Sequence, residues 1–263
     1  MRVVIIGSGS VAEALAIGVA SANSNKVILT QIFGRNEQRV NRVAMLSRCK
    51  NRSTNPADLA KADLYILAVS DSSIAELATT LPFANGAIVA HTAGSVSLDI
   101  LPQTTTQRRA VIYPMQTFTK GRRLDFREIP LFIEADDQEC FTMVRSVAKV
   151  LSNNVVKLSS ERRRSLHMGA VFASNFVNAM YAASSDILAK HDLPLALYEP
   201  LIRETLSKAM LPNVHPMQMQ SGPAVRGDRE TIEKHIELLK ESPELIEVYK
   251  TISKYIWETS KRI

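Results

Sequence analysis

Val3-Val4-Ile5-Ile6-Gly7-Ser8-Gly9-Ser10-Val11-Ala12 is the stretch on which the fold turns. Four apolar residues stop at a glycine, the pattern of a short strand buried on both faces. Small and apolar residues with helical character continue from Ser10 to Ser21. Strand, glycine turn and helix in direct succession form the first half of a βαβ unit. Spelled G-x-G-x-x-A, the turn stands in the context a dinucleotide-binding motif requires. Gly7 permits the tight turn, Gly9 lets the backbone approach a pyrophosphate, and Ala12 lets the helix pack close to the sheet. Ser8, Ser10 and Val11 complete the turn, where unpaired N–H groups and the helix dipole favour an anion. A glycine turn that binds nothing has the same spelling, so the weight comes from the βαβ setting.

The same alternation continues outward. Val27 to Phe33, Leu64 to Val69, Ile88 to His91, Ala110 to Tyr113, Pro130 to Glu134 and Val155 to Leu158 read as strands. Between them Glu37 to Leu46, Ser73 to Thr79 and Gln138 to Leu151 read as helices, which predicts crossovers and a parallel sheet. From Ser159 onward only helical periodicity remains, over 165–189, 195–210, 228–239 and 243–261. The expected architecture is α/β: a doubly wound parallel Rossmann sheet over 1–158, followed by an all-helical domain over 159–263.

Composition narrows the function classes. With 46% hydrophobic and 22% charged residues, the chain is neither disordered nor collagen-like. No apolar run approaches the ~18 residues of a membrane-spanning helix, so no membrane association is expected. Glu13 and the four-residue apolar run argue against a secretory signal. The net charge of +6 is spread along the chain, whereas nucleic acid calls for a clustered basic face. Glu161-Arg162-Arg163-Arg164 reads as a solvated hinge where the domains join. Cys49 and Cys140 show neither metal-ligand nor disulfide spacing, so no metal and a reducing, cytoplasmic location are expected.

The end of the second strand discriminates between the two nicotinamide dinucleotides. An acidic side chain there binds the ribose hydroxyls of NAD. Here Phe33 leads into Gly34-Arg35-Asn36, Arg39 follows one helical turn on, and no carboxylate precedes Glu37. The planar guanidinium of Arg35 suits a 2′-phosphate and stacks on adenine. One charge-assisted contact is worth about 1.5–3 kcal/mol, a preference of roughly 10- to 100-fold for NADP. A solvated arginine after a strand is the competing reading.

Val69-Ser70-Asp71 and His91-Thr92-Ala93-Gly94-Ser95 also follow strands, and ligands of doubly wound sheets lie beyond the strands' carboxyl ends. Val69, Ser70, His91 and Thr92 are therefore expected at the cofactor. His91 reads either as a proton donor or as a structural residue. Tyr113-Pro114-Met115-Gln116-Thr117-Phe118 either borders the nicotinamide or is a proline turn. In the helical half, His167, Val171, Asn175 and Asn178 recur at spacings of four, four and three, on one face of a regular helix. A polar stripe on an otherwise apolar helix needs partners, which a substrate or neighbouring helices supply. Further on, Asp228 stands where an N-cap belongs, and Arg226 beside it has the chemistry of an anion clamp.

These pieces together resemble the family that joins an NADP-oxidoreductase-like Rossmann domain to a helical domain of unknown function. The resemblance rests on Gly7-Ser8-Gly9 with Ala12, on His91 to Ser95, and on Tyr113 to Phe118. It extends to His167 with Phe172-Ala173-Ser174-Asn175-Phe176, and to Ser221-Gly222-Pro223-Ala224 with Arg226-Gly227-Asp228. More distantly the chain resembles the superfamily of pyrroline-5-carboxylate reductase and the β-hydroxyacid dehydrogenases. The resemblance implies NADP, a second domain like the C-terminal domain of 6-phosphogluconate dehydrogenase, and a homodimer formed through helices. It brings no substrate. β-Hydroxyacid dehydrogenases place a catalytic lysine four residues before an asparagine; if Asn175 is that asparagine, Val171 stands in the lysine's place.

The leading expectation is an NADPH-dependent reductase acting on a small carbonyl or imine held between the domains. His167 donates the proton and Asn175 orients the substrate, since an imidazole titrating near 6.5 suits acid catalysis near neutrality. The missing lysine favours a rival, a non-catalytic NADP-binding sensor or regulatory protein. A third reading passes hydride to a deazaflavin.

Overall fold

The computed structural model describes residues 1–22, 24–104 and 106–263. They divide into two compact units, Met1–Ser174 and Asn175–Ile263.

The first unit is built on one sheet of eight strands. Its strands are β1 (Arg2–Ile6), β2 (Ile28–Phe33), β3 (Arg52–Ser53), β4 (Leu64–Leu67), β5 (Ile88–His91), β6 (Arg108–Pro114), β7 (Leu131–Ala135) and β8 (Val155–Lys157). They lie in the order β3-β2-β1-β4-β5-β6-β7-β8. The order reverses direction between β1 and β4, the topological switch point at which doubly wound sheets open a crevice. Alternation along β1 shows why the strand is apolar throughout. Val3 and Ile5 join a core with Ala12 and Leu15 of α1 (Ser10–Ser21) and Val144 of α4 (Gln138–Leu151). Val4 and Ile6 face the opposite core, with Ile74 of α3 (Ile74–Thr80) and Tyr65.

One pair departs from the parallel expectation: β6 and β7 run antiparallel, with Ile112 opposite Ile133. A parallel neighbour requires a crossover, usually helical. The segment between Pro114 and Leu131 contains no helix, so the chain turns back beside the strand it has just left. A connection of that length without helix or strand is uncommon and usually functional. Here it runs as a strap over α1. Gly121 donates its N–H to Glu13 Oε1 at 3.0 Å, and Phe118 stacks on Phe126 with centroids 6.1 Å apart. Glu13, buried on α1, is also paired with Arg42 of α2 (Glu37–Leu46).

The sheet ends at Lys157, but the first unit continues through α5 (Ser160–Ala170). Side chains explain this. Ser160 gives its N–H and hydroxyl to Glu134 of β7, and its oxygen accepts the Leu98 N–H. Arg163 is fully buried. It binds Glu134 Oε2 at 2.5 Å and reaches the Val96 carbonyl. The solvated hinge expected over Glu161–Arg164 is thus corrected at Arg163, which lies inside the protein because a carboxylate and a carbonyl are there to meet it.

A π-helical stretch, Val171–Phe176, follows α5 and precedes α6 (Val177–Ala189). Such turns have a longer period than the α-helix and occur often at functional sites. The even stripe expected of His167, Val171, Asn175 and Asn178 assumes a regular 3.6-residue period, which this stretch does not keep. The second unit continues with α7 (Glu199–Ala209), α8 (Pro223–Arg226), α9 (Arg229–Leu238) and α10 (Pro243–Ser260). Asp228 caps α9 as expected, accepting the Thr231 N–H at 3.1 Å. Gly227 adopts φ 68°, and a Cβ there would stand 2.9 Å from the Trp257 ring. That glycine motif brings α8 against α10.

Candidate functional site

The glycine turn between β1 and α1 forms the floor of a cleft of about 480 Å³ at the switch point. Gly7 holds φ 134°, and a Cβ on it would lie 2.1 Å from the Ala68 carbonyl oxygen. Only glycine fits there. Gly9 differs: nothing stands within 4 Å of its Cβ position. Packing inside the chain does not demand a glycine at that point, so its bare backbone leaves room for a ligand. Gly9 is the N-cap of α1 and offers no side-chain cap, so the first N–H groups of the helix face the cleft free of a side-chain acceptor.

Ten of the eleven residues expected at the cofactor line this one cleft: Gly7, Ser8, Gly9, Ser10, Val11, Arg35, Asn36, Val69, Ser70 and Thr92. Arg35 and Arg39 both border it, and no lining residue is a carboxylate. Asn36 has a local duty as well, capping α2 by accepting the Arg39 N–H at 2.9 Å. The loops after β4 and β5 are tied together beside the cleft, where Ser95 donates to Asp71 Oδ2 at 2.6 Å.

His91 is the exception. It is wholly buried at the end of β5 and lines no part of the cleft. Its Nδ1 accepts the Ala93 N–H at 3.2 Å, and Nε2 lies 3.3 Å from the Ser97 carbonyl. Burial, reinforced by the nearby Arg163 charge, pushes its pKa down to about 4. A neutral ring with both nitrogens engaged shapes the 92–97 loop.

His167, on α5, is half-buried, with Nδ1 3.0 Å from the Tyr113 hydroxyl. The two rings meet edge to face at 78°, with centroids 5.9 Å apart. The loop after β5 supplies the floor: a Cβ on Gly94 would stand 2.6 Å from His167 Nδ1 and 2.9 Å from Tyr113 Cζ. Asn175 belongs to the other unit and is exposed. Gln116 and Phe118 also line the cleft, in keeping with one of the two readings of Tyr113 to Phe118, and so does Ser73, which lies outside the expected set. The strand-ending position of Tyr113-Pro114 was the signal for the first two; Ser73 carried none.

The fit to a nicotinamide dinucleotide is good on these grounds. A bare-backbone cradle, an uncapped helix N-terminus and two guanidinium groups line one crevice. A carboxylate for ribose hydroxyls is missing from its lining.

A Rossmann-like domain matches residues 1–115, and a domain of unknown function, DUF2520, matches residues 129–256. BF3122 from Bacteroides fragilis, described as a candidate NADP oxidoreductase, is 35% identical over 98% of each chain with a TM-score of 0.88. The chain belongs to the Rossmann–DUF2520 family. Beyond the family, likeness is of fold alone. Pyrroline-5-carboxylate reductase from Streptococcus pyogenes is 17% identical over 100% of this chain and 99% of its own, with a TM-score of 0.63. A reductive aminase from Aspergillus terreus in complex with NADPH and ethyl levulinate is 13% identical over 99% and 94%, with a TM-score of 0.73. No curated protein matches the chain.

Proposed function

We propose that this chain is an NADPH-dependent reductase of small carbonyl or imine compounds. The observation that carries the reading is the cleft itself, which joins the glycine cradle to Arg35 and Arg39 without an acidic side chain. The pyrophosphate would lie on the N-terminus of α1, over Gly9. The 2′-phosphate would pair with Arg35, with Arg39 adding charge. Bound there, NADPH supplies a hydride. The description of BF3122 as an NADP oxidoreductase supports the same cofactor.

His167 is the proton donor in this reading, next to the Thr92–Ser95 loop whose first residue lines the cleft. The protein works as a homodimer joined through the helices of its second unit. Leu201, Leu206 and Tyr255 support this, each more than half exposed there in a way partner chains ordinarily cover.

One observation favours a second reading. If Asn175 is the asparagine of the β-hydroxyacid dehydrogenases, Val171 stands in the place of their lysine, as expected of a protein that binds NADP without chemistry. A panel of small ketones, aldehydes and cyclic imines, assayed by NADPH absorbance, separates the two. Turnover with at least one compound, reduced at least tenfold by His167→Ala with NADPH affinity intact, supports the reductase. Tight NADPH binding without turnover across the panel supports the sensor, and equal turnover in the variant removes His167 from the mechanism.

A further inference from the structure

Tyr113 ends β6 and is buried, yet it is in neither the glycine cleft nor the set of residues expected to do chemistry. Among the described residues its hydroxyl has one hydrogen-bond partner, Nδ1 of His167. We infer that Tyr113 is a positioning residue that fixes His167 as its Nε2–H tautomer and refills His167 through Nδ1, making Nε2 the atom that gives the proton. The inference rests on the reading of His167 as the donor.

Three features carry it. The first is the donor–acceptor sense of the contact. Nδ1 of His167 is the one hydrogen-bond partner of the Tyr113 hydroxyl among the described residues, so donating there is what gives its buried hydrogen an acceptor. Burial pushes the phenol up, opposed by the Arg163 charge, which keeps that hydrogen on the oxygen. A neutral imidazole that accepts at Nδ1 carries its own hydrogen on Nε2. The second is rigidity. Gly94 leaves no room for a Cβ beneath either ring. Arg163, bonded to the Val96 carbonyl, and Ser160, bonded to the Leu98 N–H, tie the same loop to α5. The third is the free edge. Among the described residues no hydrogen bond reaches His167 Nε2, and the ring is half-exposed.

The charged and titratable groups around the pair come from three elements. Arg163 lies on α5 and its partner Glu134 on β7, while His91 at the end of β5 is held neutral. NADPH bound in the cleft would supply the hydride of the new C–H bond, and Nε2–H breaks as the substrate's oxygen or nitrogen takes that proton. The Tyr113 O–H breaks as Nδ1–H forms, leaving a phenolate within the field of the Arg163 charge. Solvent then returns a proton to the exposed Nε2 edge, and the Nδ1 proton goes back to the phenolate. One NADPH and one solvent proton are consumed.

The first test needs no substrate. Long-range ¹H–¹⁵N spectra of histidine-labelled protein, with His167 assigned by the signal lost in His167→Gln, report which nitrogen holds the hydrogen. The account predicts Nε2–H with bare Nδ1 in the native chain, and mixed tautomers in Tyr113→Phe. Nδ1–H in the native chain, or an unchanged tautomer in the variant, overturns it. With a substrate in hand, pH profiles add a second readout. Tyr113→Phe should lower turnover and change the shape of its pH profile, with NADPH affinity retained. Identical profiles in variant and native enzyme overturn the relay. If instead His167→Ala leaves turnover intact while the tautomer is fixed as predicted, it is the donor reading that fails.

Discussion

Gly7 and Ala68 touch across the switch point: the Gly7 Cα sits so near the Ala68 carbonyl that a Cβ would come within 2.1 Å of its oxygen. Gly7 also donates its N–H to Phe33 O at 2.7 Å. The glycine turn is therefore locked to β2 on one side and to the β4 loop on the other. Those two neighbours lead into Arg35 and into Val69-Ser70, so the geometry of one glycine sets three walls of the cleft.

Gly7→Ala should be costly on two counts. The residue must hold φ 134°, which is strained for any side chain, and its methyl collides with backbone. The expected loss is at least about 2 kcal/mol, read by chemical denaturation. Gly9→Ala, with open space at its Cβ position, should unfold like the native chain and lose NADPH affinity instead.

His91 sets an acid limit on stability. Its folded pKa of about 4 lies below the ~6.5 of an unfolded histidine. Below pH ~6.5 the unfolded chain takes up a proton that the native chain refuses, so stability falls as pH drops toward 4 and this contribution levels off beneath it. The full loss is about 3 kcal/mol. Urea midpoints of the native chain and His91→Gln, measured from pH 7 to 4, should converge as pH falls. Parallel curves would show that His91 is protonated alike in both states.

Arg163 and Glu134 form the buried pair behind the β5 loop, with the arginine side chain 1% exposed. Glu134→Ala leaves that charge without its carboxylate and takes an acceptor from Ser160. The expected cost is about 3–5 kcal/mol. The double variant Glu134→Leu/Arg163→Met should cost less than the single change, because no charge is left stranded. A double variant less stable than Glu134→Ala would contradict this.

Much of this architecture is legible in the residues. The stretches Ser10 to Ser21, Glu37 to Leu46 and Gln138 to Leu151 read as helices and are helices over those residues, because apolar periodicity and turn chemistry agree. Ten of the residues that line the cleft follow from two rules, the glycine spelling and the loops beyond strand ends. What escapes has physical reasons. β3 is two polar residues, Arg52 and Ser53, on the sheet edge, with no hydrophobic signal. The antiparallel turn of β7 depends on the missing crossover after Pro114. Arg163 in a run of arginines looks solvated until Glu134, 29 residues away in sequence, supplies its partner. The Tyr113–His167 contact spans 54 residues, and neither residue type announces it. The π-helical stretch breaks the period on which the polar stripe was read.

The most direct test of the central claim is a fluorescence titration with NADPH and NADH, on the native chain and on Arg35→Ala. NADPH should bind at least about tenfold tighter than NADH, with the difference largely lost in the variant. If neither dinucleotide binds the native chain, the glycine turn is only a turn and the reductase reading falls.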